Sequence, residues 1–155
     1  MSDIHITEPA VAIVGLNHLD RFKRCLEHTA TYHSDACHLF LLGGLTHNGL
    51  YEEYKILKRA LDNQPFETTL MLGNHDRRTA FAKAFSNLPT DFQYGSKNFS
   101  KTKILYLDTL DEGATNEHGG LICKERLQWL ETNLQSEKGP MIVLSNHYIL
   151  TSGFD

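Results

Sequence analysis

Six side chains combine types and positions that suit metal chemistry: Asp3, His5, Asn74, His75, Asp76 and His147. Carboxylate oxygen, imidazole nitrogen and amide oxygen together fit a borderline or hard divalent cation. Asp3 and His5 are two residues apart, so on an extended strand both point to one side. Asn74, His75 and Asp76 follow Gly73 directly, and glycine permits the tight turn that aims such side chains into a crevice. His147 stands in Ser145-Asn146-His147-Tyr148. Each group also has an ordinary reading. D-x-H recurs by chance, Asn74 is a good helix N-cap, and a histidine at a strand end is common. The order of the groups and their shared placement favour a site.

That placement depends on the elements around them. Leu19, Phe22, Leu26, Thr29 and Ala30 fall on one helical face, with Asn17 as its cap. His38 to Leu42 read as a buried strand, and Leu50, Tyr54, Leu57 and Leu61 repeat at helical spacing before Pro65. Thr68 to Leu72 form the next strand, then Phe81, Ala84, Phe85 and Leu88 a short helix ahead of Pro89. Lys103 to Asp108 read as a third strand. Cys123, Leu127, Leu130 and Leu134 mark a helix ended by Gly139 and Pro140, and Met141 to Ser145 a fourth strand. The alternation predicts an α/β sandwich on a mostly parallel sheet. In such sheets ligands bind at the carboxyl ends of the strands, where Gly43–Gly49, Gly73–Asp76 and Ser145–Tyr148 all fall.

Composition narrows the function classes. With 155 residues, 41% hydrophobic and 22% charged, the chain reads as one soluble globular domain with a real core. A net charge of −4 argues against a nucleic-acid binder, although bound cations would still admit an anionic substrate. No apolar run reaches membrane-span length, and the N-terminus lacks a signal-peptide pattern. Cys25, Cys37 and Cys123 lack CxxC spacing and suggest reduced thiols in a cytoplasmic protein, with Cys25 and Cys37 expected in the core. There is no internal repeat and no low-complexity segment.

With these motifs in order, the chain resembles the calcineurin-like metallophosphoesterases, and within them the class III cyclic-nucleotide and glycerophosphodiester phosphodiesterases. Asp3-Ile4-His5 matches the D-x-H motif, Gly73-Asn74-His75-Asp76 matches G-N-H-D in full, and His147 stands near the histidine that follows a later strand. The segments "GLYEEYKILKRAL" and "ILYLDTLDEGATNEHGGLICKERLQWLETNL" resemble the stretches between motifs, so the likeness covers nearly the whole chain. It implies an αββα sandwich, here a single incomplete domain over residues 1–155 whose C-terminal G-H-x-H motif and part of whose first strand are not included. It implies a binuclear iron, manganese or zinc centre that hydrolyses a small phosphodiester such as a cyclic nucleotide by a metal-bound hydroxide. Asp3 and His5 would hold one ion, Asn74 and His147 the other, with Asn146 an alternative to His147. His75 would contact the phosphate or protonate the leaving oxygen, and Asp76 would orient His75.

One departure concerns the site directly. "GGLTHNG" takes the place of the family's "GDLT", so the bridging aspartate position is Gly44. A glycine side chain supplies no ligand, and without a shared carboxylate two dications repel strongly. At least one metal site is therefore expected to be weak, with Asp108 and His47 as open alternatives for the lost donor. A non-catalytic relative with a binding or regulatory role is the second expectation. Exposed sheet edges would favour a homo-oligomer. The remaining histidines, His18, His28, His33, His38 and His118, are expected at the surface or an interface. Arg77 and Arg78 are placed either to meet a phosphate or at an exposed helix start.

Overall fold

The fold was analysed in a computed structural model that describes residues 1–113 and 120–146. The element order is α1 (His18–Tyr32), β1 (His38–Leu42), α2 (Tyr51–Asp62), β2 (Glu67–Met71), α3 (Arg78–Ala84), β3 (Gly95–Phe99), β4 (Thr102–Tyr106), α4 (Lys124–Ser136) and β5 (Met141–Leu144). The predicted alternation is present with one addition, β3. It pairs antiparallel with β4 across a turn in which Ser100 has φ 49°. Its sequence, GSKNF, has a single large apolar residue, so no hydrophobic pattern marked it.

The strands form two sheets. β1 and β2 pair in parallel, from His38 opposite Glu67 to Leu42 opposite Met71. The second sheet has the order β3-β4-β5, with β4 and β5 parallel. The sheets meet through aromatic rings: Phe40 of β1 lies 6.3 Å from Phe99 of β3 and 6.4 Å from Tyr106 of β4. The outer face of the first sheet carries helices, as the period of β1 requires: Leu39 and Leu41 alternate inward with less buried neighbours. They join Phe22 and Leu26 of α1 and Tyr54 and Leu57 of α2 in one core. Burying each such side chain stabilises the fold by about 1.5–3 kcal/mol. Asn17 caps α1 by accepting from the Asp20 N–H at 3.0 Å.

Several sequence expectations are corrected. Cys25 and Cys37 are exposed rather than core. Cys25 lies one position before Leu26 and so turns off the apolar stripe. In α4 the fully buried side chain is Arg126, while Leu127 and Leu134 are 42% and 41% exposed. The Arg126 guanidinium donates to the Asp108 carbonyl and lies 3.7 Å from the Phe92 ring centroid, so the inward side of α4 combines Arg126 with Trp129 and Leu130. His38, expected at the surface or an interface, has a side chain only 2% exposed and pairs with Thr69 Oγ1 at 2.8 Å. No helix among the described residues is long and apolar enough to cross a membrane.

Candidate metal centre

The site lies where three loops meet beyond the carboxyl ends of β1 and β2. Residues 1–6 run alongside the chain that leaves β1. Asp3 N–H donates to the Gly43 carbonyl at 3.1 Å, His5 N–H to Gly44 at 2.8 Å and Ile6 N–H to Leu45 at 3.0 Å. This segment is not the extended strand that the spacing predicts. Asp3 has φ 55° and His5 φ 44°, both left-handed. Such backbone costs a non-glycine residue about 1–2 kcal/mol, which the hydrogen bonds to 43–45, together with Leu42 N–H to the Met1 carbonyl at 2.8 Å, offset. Asp3 and His5 still share a site, with His5 Nε2 3.6 Å from Asp3 Oδ1.

Glycines allow the loops to close up. Gly44 has φ 58°, and a Cβ there would sit 3.0 Å from both Asp3 Cα and Asp3 Oδ1 and 3.3 Å from His5 Nε2. Position 44 therefore lies beside Asp3 and His5, and the space a side chain there needs is taken by those two residues. A Cβ on Gly73 would fall 2.5 Å from the Gly44 nitrogen, so only glycine permits the two loops this approach.

Asp76 ties these loops from below. Its carboxylate is fully buried and accepts from Leu45 N–H (3.1 Å), Thr46 N–H (3.1 Å), Thr46 Oγ1 (3.2 Å), Tyr54 Oη (2.9 Å) and Gly73 N–H (2.8 Å). Burial pushes its carboxyl above the ordinary range, and the donated bonds pull it back. Burial and the Asp76 charge also raise the Tyr54 phenol, which stays a donor. The expected Asp76–His75 hydrogen bond is not what orients His75. Instead His75 Nδ1 donates to the His47 carbonyl at 2.8 Å. A carbonyl only accepts, so the neutral ring carries its lone pair on Nε2.

His47, left open in the sequence, reaches the site. The nitrogens of His5, His47 and His75 lie within 4.8 Å of one another. The His47 and His75 rings stack at 5.3 Å, and His5 stands edge-on to both, at 5.6 and 4.6 Å. His47 is held on both sides: its N–H donates to Ile6 (3.0 Å), and buried Glu53 accepts from Asn48 N–H at 3.0 Å and from Asn48 Nδ2 at 2.8 Å. His18 adds a fourth imidazole, its ring 6.3 Å from that of His5 and its Nδ1 donating to the Ile4 carbonyl at 3.2 Å. Burial, chiefly, and then the neighbouring His75 lower the His5 pKa, while Asp3 opposes the shift; His5 is thus favoured in the neutral form that binds metal.

The remaining sequence candidates divide. Asn74 occupies the 73–76 turn, closed by Asp76 N–H to the Gly73 carbonyl at 2.9 Å, and is half-buried. His147 and His118 lie outside the described residues. Asn146 is buried after β5, and its amide has no partner among the described residues. Asp108 is not a spare donor: it is buried against Arg78, whose Nη2 donates to it at 2.9 Å, and it accepts from Gln93 N–H at 2.8 Å. Arg78 is thereby engaged away from any phosphate. Arg77 is exposed and donates from Nη1 to the carbonyls of Asn74 (3.3 Å) and Asp76 (3.0 Å).

The donor set fits a metal ion on internal grounds. Nδ1 of His5 and Nδ1 of His47 are buried without a hydrogen-bond partner, an arrangement that costs about 1–3 kcal/mol per group unless another group engages that nitrogen. The sequence profile of the calcineurin-like phosphoesterases matches residues 1–155. The chain belongs to the calcineurin-like phosphoesterase family. Among curated relatives, one named "Probable cyclic nucleotide phosphodiesterase" from Rhodopseudomonas palustris is 33% identical over 152 residues, covering 95% of this chain and 55% of that protein. Another of the same name, from Vesicomyosocius okutanii subsp. Calyptogena okutanii, is 27% identical over 149 residues, covering 96% and 59%. The chain therefore spans somewhat over half the length of these relatives. Membership of the calcineurin-like phosphoesterases agrees with the two-sheet α/β architecture and with the placement of D-x-H and G-N-H-D beside position 44.

Proposed function

We propose that this calcineurin-like phosphoesterase is a metal-dependent hydrolase of small phosphodiesters, cyclic nucleotides among them. The observation that carries the reading is the convergence of Asp3, His5 and the His75 turn on Gly44. Asp3 and His5 hold one divalent ion, of iron, manganese or zinc type, and Asn74 with His147 holds a second. A bound ion supplies an acidified water and charge neutralisation at phosphorus. His75, anchored through Nδ1, presents Nε2 to the phosphate or to the leaving oxygen. Asp76 keeps the 44–46 loop and the 73–76 turn in register as a positioning residue. The relatives' names support the cyclic-nucleotide part. A reducing, cytoplasmic setting suits the free thiols, two of them exposed.

Hydrolysis of bis-p-nitrophenyl phosphate and cyclic AMP in manganese tests this. Slow turnover that EDTA abolishes is expected, and Asp3→Ala should remove it. No turnover with manganese, iron or zinc, in either the natural chain or Gly44→Asp, refutes it. Gly44 itself favours a second reading, a relative that takes up metal or nucleotide without turnover. That reading expects metal-dependent stabilisation beside inert kinetics.

A further inference from the structure

We propose that this chain holds a single zinc-class ion through three imidazoles, His5, His47 and His75, with His47 replacing the donor lost at position 44. The inference rests on the metal-binding part of the function proposed above and revises two of its details: one ion stands in place of two, and His75 is a ligand rather than a contact to phosphate. Three independent observations converge on it. The three rings present nitrogens within 4.8 Å of one another. Donors around a tetrahedral zinc sit about 3.4 Å apart, given bonds of about 2.0–2.1 Å, so the three nitrogens need to draw together by only about 1.4 Å or less. His75 donates its other ring N–H to a backbone carbonyl, the arrangement that fixes the tautomer of metal-ligating histidines. That carbonyl belongs to His47, so two of the ligands are locked together. The Nδ1 atoms of His5 and His47 are buried and unpartnered.

The donor chemistry sets the class of ion. An imidazole-rich set favours zinc, cobalt or copper over magnesium or calcium, which need oxygen ligands. A pair of dications needs a shared anion to offset their repulsion, and a residue at 44 cannot supply one here. With Gly44 in left-handed backbone, the space of a bridging side chain is taken by Asp3 Cα and Oδ1 and by His5 Nε2. One ion surrounded by neutral imidazoles, with an oxygen donor completing the shell, avoids that repulsion.

Equilibrium dialysis of the full chain with zinc, and cobalt titration followed by visible absorption, test the proposal. The expected result is one ion per chain and the intense visible bands of four-coordinate cobalt. Loss of an outer-shell partner costs about 10–100-fold in metal affinity, so loss of a direct ligand in His47→Ala should exceed about 100-fold. His33→Ala, at an exposed position after α1, should bind as the natural chain does. A measurement without substitution guards against misfolding: zinc should protect His5, His47 and His75 from diethyl pyrocarbonate, read by peptide mass spectrometry, and leave His28 and His33 reactive. Zinc binding that survives His47→Ala, two ions per chain, or unprotected His47 overturns this inference and leaves the proposed function standing. Absence of any metal binding overturns both.

Discussion

Replacing Gly44 by aspartate restores the family's carboxylate, yet the apo protein should lose stability. The backbone at 44 has φ 58°, which costs an L-residue about 1–2 kcal/mol, toward the low end for aspartate. The new Cβ would sit 3.0 Å from Asp3 Cα and Asp3 Oδ1, so the 1–6 segment must yield. Its carboxylate would then face that of Asp3; two such charges about 4 Å apart repel by about 4 kcal/mol at an effective dielectric of 20. The Asp3 side chain is 43% exposed, and solvent screening cuts this to about 1 kcal/mol. Together the terms give about 2 kcal/mol, or a fall in Tm of about 4–8 °C for a chain of this size. Gly44→Ala keeps the strain and the crowding without the charge, so it separates the steric cost from the electrostatic one. An ion reverses the electrostatic sign, because both carboxylates then face a dication. Zinc should therefore raise the Tm of Gly44→Asp more than that of the natural chain, by about 1.4 kcal/mol for each tenfold gain in affinity. Differential scanning calorimetry with and without zinc measures both effects. An apo Gly44→Asp that melts at or above the natural chain refutes the crowding argument. Equal zinc shifts refute the claim that residue 44 reaches the ion.

Two further outcomes follow from buried polar groups. Asp76→Asn turns an amide NH₂ toward donors from Leu45, Thr46, Tyr54 and Gly73, and should cost about 3 kcal/mol in urea unfolding, whereas a loss below about 1 kcal/mol would mean the loops do not depend on this carboxylate. His38 is held below its ordinary pKa chiefly by burial, with Lys97 adding to the shift and Glu67 opposing it. The unfolded chain thus takes up the proton first, near pH 6.5, as the pH falls. Stability is complete above about pH 6.5 and declines as the pH drops through that value toward the depressed folded pKa. Tm measured between about pH 7.5 and 5.5 should fall less steeply in His38→Gln than in the natural chain, and parallel slopes would remove His38 from the account.

Much of the architecture was legible because apolar periodicity reports burial directly. Phe22 and Leu26 of α1, Leu39 and Leu41 of β1, and Tyr54 and Leu57 of α2 lie in the core at the spacings their patterns require. The pattern failed where polar groups are buried by pairing rather than by their own hydrophobicity. Arg126 enters the interior because Asp108 and Phe92 receive it, and those partners are distant in the chain. β3 was invisible because its stability comes from pairing with β4 rather than from an apolar face of its own.

The candidate site divides in the same way. The sequence by itself determined the types of the donors and their order, with Asp3-x-His5 and Gly73-Asn74-His75-Asp76 around a loop whose expected acid is Gly44. Local spacing carries that much, because each motif lies within one turn or one short segment. Only the tertiary structure decided that Asp3 and His5 meet through left-handed backbone, that Asp76 braces the loops rather than His75, and that His47 stacks on His75. Those outcomes depend on hydrogen bonds between segments some 30 to 40 residues apart, such as Leu45 N–H to Asp76 and Asp3 N–H to the Gly43 carbonyl. The direction in which a loop side chain points is set by which distant backbone groups satisfy its own, and linear spacing does not encode that choice.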